Sequence, residues 1–252
     1  MRLAILSDVH ANLTALDAVL ADIGDVDGLR VLGDIVGYGP DPDEVVERLR
    51  SVGATGVCGN HDLAALGGKL IEWFNPDARA AIEWTIGQIS EATRDWLAGL
   101  PQRLEEGPFT LVHGSPRDPV WEYITDAEVA AAEVDAMTTP YCLFGHTHVP
   151  AAFREVGGTT RSRTRGAAGP TMDTVRMRTG TVVVLDDRRA LLNPGSVGQP
   201  RDGIPSASWL LLDTDALTAT WHRTEYDIAR TQRAMRTAGL PTRLVARLAV
   251  GA

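Results

Sequence analysis

Leu3-Ala4-Ile5-Leu6-Ser7-Asp8-Val9-His10 opens the chain with a short apolar run that ends on a carboxylate and an imidazole. Four apolar residues in a row, with no polar alternation, fit a strand buried on both faces, as strands of parallel sheets are. Outward from it, Leu13, Leu16, Leu20 and Ile23 recur at helical spacing. Leu29 to Leu32 is a second such strand, ending at Gly33-Asp34. Asp41-Pro42-Asp43-Glu44 reads as a helix start, with Asp41 as cap, Pro42 in the first turn and Glu44 reaching back. Val57-Cys58 closes a third strand before Gly59-Asn60-His61-Asp62. This β-α-β-α rhythm implies parallel strands joined by right-handed crossovers. Ligands of such sheets bind at the carboxyl ends of strands, and each polar motif falls there.

Residues 63 to 100 read as a helical insert, in which Trp73, Phe74 and Trp84 sit at spacings suited to core packing or, alternatively, to a pocket lid. Phe109 to Val112 is a strand that ends at His113. Thr125-Asp126-Ala127-Glu128 has capping-box form and starts a helix running to about Met137. Tyr141 to Phe144 delivers Gly145-His146-Thr147-His148. After that the texture becomes β-rich. Ala151 to Val156, Thr181 to Leu185, Ala190 to Asn193, Ala207 to Asp213 and Leu217 to Arg223 read as a second, more antiparallel sheet, followed by one or two helices from about Asp227. The expectation is one α/β domain over 1–252, with two sheets face to face and helices outside. The segment 157–180 stands apart, with Arg161, Arg163, Arg165, Arg176 and Arg178 against Asp173. It reads as an exposed loop or hairpin tip, or else as a basic arm for an anionic partner.

Composition narrows the function classes. The chain has 24 Lys and Arg against 33 Asp and Glu, a formal charge of −9. That argues against a nucleic-acid coat or an anionic-membrane binder, both of which need a basic surface. Cys58 and Cys142 end apolar runs and read as buried core residues rather than a disulfide framework. The apolar run at Leu3 is too short for a signal peptide, and no stretch approaches the roughly 20 residues that cross a bilayer. A cytoplasmic location is expected.

Five of the six histidines lie in the motifs already quoted. Asp8 and His10 are two apart, so in an extended segment they leave on the same side; His146 and His148 repeat the spacing. Glycines at 33, 59 and 145 permit sharp turns and close backbone approach. Imidazole, carboxylate and one amide oxygen form a ligand set for two divalent transition ions, the composition of a dinuclear hydrolase centre.

Asp8-Val9-His10, Gly33-Asp34, Gly59-Asn60-His61-Asp62, His113 and Gly145-His146-Thr147-His148, in that order, resemble the calcineurin-like metallophosphoesterase superfamily. The loop Asn193-Pro194-Gly195-Ser196-Val197-Gly198-Gln199-Pro200-Arg201 and the short chain are similar to its small bacterial phosphodiesterase branch. The likeness spans Leu3 to about Arg201. It implies a four-layer α/β/β/α sandwich. It also implies that Asp8, His10 and His148 hold one metal, that Asn60, His113 and His146 hold another, and that Asp34 bridges them. Mn²⁺ or Fe is implied, with Zn²⁺ or Ni²⁺ also compatible with the ligands. His61 resembles the family's catalytic histidine, which stabilises the phosphoryl transition state or protonates the leaving alkoxide. The implied reaction is in-line attack of a metal-bridging hydroxide on a small phosphorylated substrate. Phosphodiesters lead. Alternatives are phosphomonoesters (phosphoprotein, nucleotide or dinucleoside polyphosphate) and a non-catalytic metal-binding scaffold. Asp62 departs from the glutamate that ends this motif in the protein-phosphatase and symmetric dinucleoside-tetraphosphatase branches, which lowers those two readings.

Five further residues carry double readings. Asp62 either orients His61 or caps the following helix. Asn12 either touches a phosphate oxygen or caps the helix at Leu13. Arg117, Trp121 and Tyr123 follow His113 and either line a substrate pocket or anchor a structural loop. The Asn193 turn is expected to support the ligand histidines, and His222 to be structural.

Overall fold

The strand that opens the chain, β1 (Arg2–Leu6), lies inside a six-stranded sheet in a computed structural model that describes residues 1–156, 170–175 and 177–252. In chain order the other strands are β2 (Gly28–Leu32), β3 (Thr55–Val57), β4 (Arg103–Glu106), β5 (Phe109–Val112), β6 (Tyr141–Leu143), β7 (Ala151–Glu155), β8 (Met172–Val175), β9 (Val182–Val184), β10 (Ala190–Asn193), β11 (Ala207–Asp213) and β12 (Thr218–Thr224). The helices are α1 (Leu13–Asp22), α2 (Pro42–Ser51), α3 (Asn60–Ala65), α4 (Pro76–Gln88), α5 (Glu91–Ala98), α6 (Ala127–Glu133), α7 (Ile228–Thr237) and α8 (Thr242–Arg247).

The first sheet runs β3-β2-β1-β11-β12-β9 and the second β4-β5-β6-β10-β7-β8. In the first, β1 pairs in parallel with β2 and β2 with β3; in the second, β6 pairs in parallel with β5 and β10. All strands that deliver a motif therefore sit in the parallel part of a sheet. Alternation along β1 builds the layers: Ile5 enters the core between the sheets with Leu32, Leu111, Leu143, Leu192 and Leu210, while Leu6 turns to Leu16, Val45 and Leu49 under the helices. On the far side, Val112, Phe144, Phe153 and Leu191 pack with Ala130 and Val134. The result is an α/β/β/α sandwich of two mixed sheets flanked by helices.

Two expectations need correcting, and one strand was not read at all. The later strands do not make a sheet of their own. Strands β11, β12 and β9 complete the first sheet, and β10, β7 and β8 complete the second. Local alternation reports a strand's exposure and is silent on its partner, so pairing could not be read from it. Strand β4, Arg-Leu-Glu-Glu, was hidden by its charge, which suits its place at a sheet edge. Part of the arginine-rich segment is strand β8 rather than loop; residues 157–169 and Arg176 lie outside the described residues. The cap of α6 is Asp126, which accepts from the amides of Glu128 and Val129, and Asp41 caps α2 by position without a side-chain bond. Among the described residues no helix is long and apolar enough to cross a membrane.

Leu6 is fully buried under α1 and α2. Leu6→Ala should lower unfolding free energy by about 2–5 kcal/mol, read as a lower urea midpoint at unchanged slope. A midpoint within error of wild type would contradict the assignment of Leu6 to the core.

Candidate metal centre

Five of the motif residues occupy the left-handed region of backbone space: Asp8 (φ 53°), His10 (48°), Asp34 (52°), His146 (66°) and His148 (59°). That conformation is strained for residues with a Cβ and persists only where its surroundings fix it. Here neighbouring loops do so. The amides of Asp8 and His10 donate to the carbonyls of Gly33 and Asp34 at 3.1 and 2.9 Å. Asn193 Nδ2 donates to the Gly145 carbonyl at 2.7 Å, and Ser196 Oγ to the Asp8 carbonyl at 2.8 Å. The Asn193 turn thus ties the first motif to the last. Gly59 is required for close approach: a Cβ there would stand 2.1 Å from Asp34 Oδ1.

These loops bring two sets of donors together. Asp8, His10, Asp34 and His148 form one buried group, and Asp34, His113 and His146 the other. Asp34 Oδ2 lies 3.6 Å from His10 Nε2 and 3.4 Å from His113 Nε2, between the groups. His10 Nε2 is 3.1 Å from His148 Nε2, and His113 Nε2 is 3.0 Å from His146 Nδ1 and 3.1 Å from Asn60 Oδ1. Adjacent ligands held ~2.1 Å from one ion stand about 3.0–3.4 Å apart, so these spacings fit shared coordination. Each of these four imidazoles has its other nitrogen against a backbone carbonyl: His10 Nδ1 at Val36, His113 Nδ1 at Leu32, His146 Nε2 at Trp121 and His148 Nδ1 at Gln199. Each carbonyl can accept a hydrogen bond from the ring N–H, which in the neutral ring leaves the lone pair of the opposite nitrogen facing the donor cluster. Both oxygens of Asp8 are buried without a hydrogen-bond partner. A buried carboxylate left so is a cation ligand in waiting.

The electrostatics agree with that reading. Burial pushes His10 and His148 well below the usual imidazole range and His146 down to about 3. For His113 burial works the same way, but the charge and hydrogen bond of Asp34, then Asp8, lift it to about 9. Asp34 stays well below the usual carboxylate range: burial opposes its charge, and His113, His61 and His10 outweigh burial. Burial pushes Asp8 up to about 7. One imidazolium therefore balances Asp34, in the place where divalent cations would do so more strongly.

His61 differs from the four. Its amide donates to Asp34 Oδ1 at 2.9 Å, its Nδ1 is buried without a partner, and its ring lies against Tyr38, Phe74 and His10. Burial brings it down to about 4. It lines the cleft above the donors together with Tyr123 and Trp121. Tyr123 stacks on His146 with ring centroids 3.7 Å apart.

Three of the double readings resolve to the structural alternative. Asp62 does not bond the His61 ring; its carboxylate accepts from the amides of Gly59, Ile35 and Val36, capping α3 and fixing the Asp34 loop. Asn12 faces inward, with Oδ1 accepting from Ala15 N and Thr231 Oγ1 and Nδ2 donating to the Gly198 carbonyl. Arg117 is held by Glu122 and the buried Glu133 at 2.5 and 2.6 Å, away from the cleft lining. Trp73 lines the cleft and is not core, Phe74 both lines the cleft and packs on the cluster around Tyr38, and Trp84 packs on that cluster alone. Three lining residues were missed as cleft residues, Tyr38, Asn75 and Arg201. Arg201 ends the quoted 193–201 loop, but only the fold turns it toward Tyr38, its guanidinium 5.7 Å from that ring.

Comparison with known proteins is consistent with this geometry. Residues 1–217 match the family model of the calcineurin-like phosphoesterase superfamily domain. An uncharacterized protein of Methanocaldococcus jannaschii is 35% identical over 257 residues, covering 99% of this chain and 98% of its own. A crystal structure of a metallophosphoesterase from Sphaerobacter thermophilus superposes with a TM-score of 0.86 at 47% identity, covering 100% of each chain. A symmetrical bis(5'-nucleosyl)-tetraphosphatase of Pectobacterium carotovorum is 32% identical over 140 residues, or 53% of this chain and 49% of that protein.

The raised value of His113 fixes a pH dependence for the chelator-treated protein. A group raised on folding stabilises below its unfolded value and loses that contribution as pH climbs through the folded one. For His113 the loss runs from pH 6.5 to about 9. Each pH unit in that window is worth at most about 1.4 kcal/mol. The Tm of protein in excess EDTA should therefore fall from pH 6.5 to 9, with a shallower fall in His113→Gln. A flat or rising profile in wild type would contradict the charged assignment.

Proposed function

This chain belongs to the calcineurin-like phosphoesterase superfamily, and we propose that it hydrolyses small phosphodiesters at a centre of two divalent ions. One observation carries the reading: two buried donor groups meet at a single carboxylate, Asp34. Asp8, His10 and His148 would hold one ion, Asn60, His113 and His146 the other, and Asp34 both. Mn²⁺ or Fe fits the mixed nitrogen and oxygen donors, and Zn²⁺ or Ni²⁺ is also compatible with them. Such a pair supplies an acidified water as nucleophile and offsets charge on the phosphoryl group.

The chain's own residues do the rest. The His61 amide anchors Asp34 Oδ1 and leaves Oδ2 for the donor groups. Asn60 contributes a neutral oxygen and adds no further negative charge. With His61 Nδ1 buried and partnerless, the ring proton belongs on Nε2, where it can hydrogen-bond a phosphoryl or leaving-group oxygen. A value near 4 makes His61 a neutral donor at physiological pH, and adjacent cations, when bound, would lower it further. Among the described residues Arg201 is the one cationic side chain lining the cleft. The partial likeness to the tetraphosphatase supports a second reading, hydrolysis of a dinucleoside polyphosphate.

Mn²⁺-loaded protein should hydrolyse bis-p-nitrophenyl phosphate faster than p-nitrophenyl phosphate. Asp34→Asn should abolish turnover. His61→Gln should lower kcat by about 10²–10⁴-fold with metal content unchanged. Monoester turnover alone would move the substrate class to phosphomonoesters. No turnover by metal-loaded wild type would overturn the hydrolytic reading in favour of a binding protein.

A further inference from the structure

The cleft lining is of two kinds. Polar and charged groups are Asp34, His61, His146, His148 and Arg201; an aromatic wall of Trp73, Phe74, Trp121 and Tyr123 packs against them, Tyr123 on His146 and Phe74 on His61. Ring contacts run outward without a break. His61 meets Phe74 at 4.8 Å, Phe74 meets Trp121 at 5.7 Å, and Trp121 meets Trp73 at 5.3 Å. Trp73 stands at the rim and is 71% exposed. It ends the one-turn segment Lys69–Trp73, none of whose residues is buried, after Gly67 and Gly68, both at φ 98°. An indole so exposed adds little to folding, and a contiguous apolar surface beside polar groups marks a binding site. Asn75 Oδ1, beside these rings, is already taken by the Ala78 amide.

We propose that the aromatic wall stacks a nucleobase, so that the substrate is a nucleoside-bearing phosphoester. Its phosphate meets the donor groups and Arg201, and its base meets Trp73 and Trp121. The proposal rests on the reading that the phosphate sits at the metal centre. The charge layout supports this occupant: an anion is favoured at the floor and a flat uncharged ring at the rim, one beside the other. With stacking in place of hydrogen-bond readout, the wall accepts every base, because each base presents a π-face. Trp73 and Trp121 thereby set specificity for the presence of a base and leave its identity open.

The test is calorimetric titration of Mn²⁺-loaded protein with AMP and with ribose 5-phosphate, which share the phosphate and differ in the base. AMP should bind about 5- to 100-fold more tightly than ribose 5-phosphate. GMP, CMP and UMP should match AMP within a few-fold. In Trp73→Ala and Trp121→Ala the advantage of AMP should collapse toward the ribose 5-phosphate value. The exposure of Trp73 makes its substitution safe for the fold. Equal binding of AMP and ribose 5-phosphate to wild type would overturn the proposal, as would an advantage that survives in both variants. Base-dependent binding without diester turnover would uphold the base site and overturn the hydrolytic reading. Turnover without a base advantage would do the reverse.

Discussion

A carboxylate with 1% exposure is stable as an anion only with positive charge beside it, and Asp34 is such a carboxylate. It sits at the carboxyl end of β2, where the two sheets deliver their loops, and Asp8 lies fully buried nearby. Two anions without solvent cannot be balanced by neutral imidazoles. In the chain alone, charge on His113 is what Asp34 has, and Asp8 is pushed toward its neutral form. Divalent cations bound there would satisfy both anions together with the imidazole nitrogens directed between them. The strained turns, the glycines and the carbonyl-fixed imidazoles all follow from keeping Asp34 and Asp8 in that place.

Holding such a site works against folding. Left-handed backbone at five donor positions and orphaned oxygens on Asp8 both cost stability. The compensation is in the frame: β1 is covered on both faces, Asn193 and Ser196 cross-tie the motif loops, and Trp221 Nε1 holds the Asn193 carbonyl at 2.7 Å. Metal binding would return part of the remaining cost, because the ligands would stabilise the folded chain alone.

The donor set was legible in the sequence because it is local. Each motif follows an apolar run of a few residues, and strand ends in parallel sheets are where ligands gather. Strand pairing was not legible, since β11 and β10 reach their places across most of the chain and alternation does not name partners. The cleft was legible only in part. Tyr123 and Trp121 follow a motif closely enough to be found. Arg201 and Tyr38 enter through loop paths that the sequence does not fix, and Trp73 has the same spacing whether it faces core or solvent. Asp62, Asn12 and Arg117 each take the structural one of their two readings, and the sequence could not decide between them. Polar residues next to a site serve as readily to hold structure as to hold substrate, and partners such as Glu133 and Thr231 are brought to them only by the fold.

The central claim is that Asp34 joins two separate metal positions. Metal content per chain, measured by mass spectrometry after reloading with Mn²⁺ and desalting, tests it most directly. The account predicts two ions in wild type. It predicts about one in His148→Ala and about one in His146→Ala, because each substitution disables one donor group and spares the other. A single ion in wild type, or a count that neither substitution changes, would contradict it.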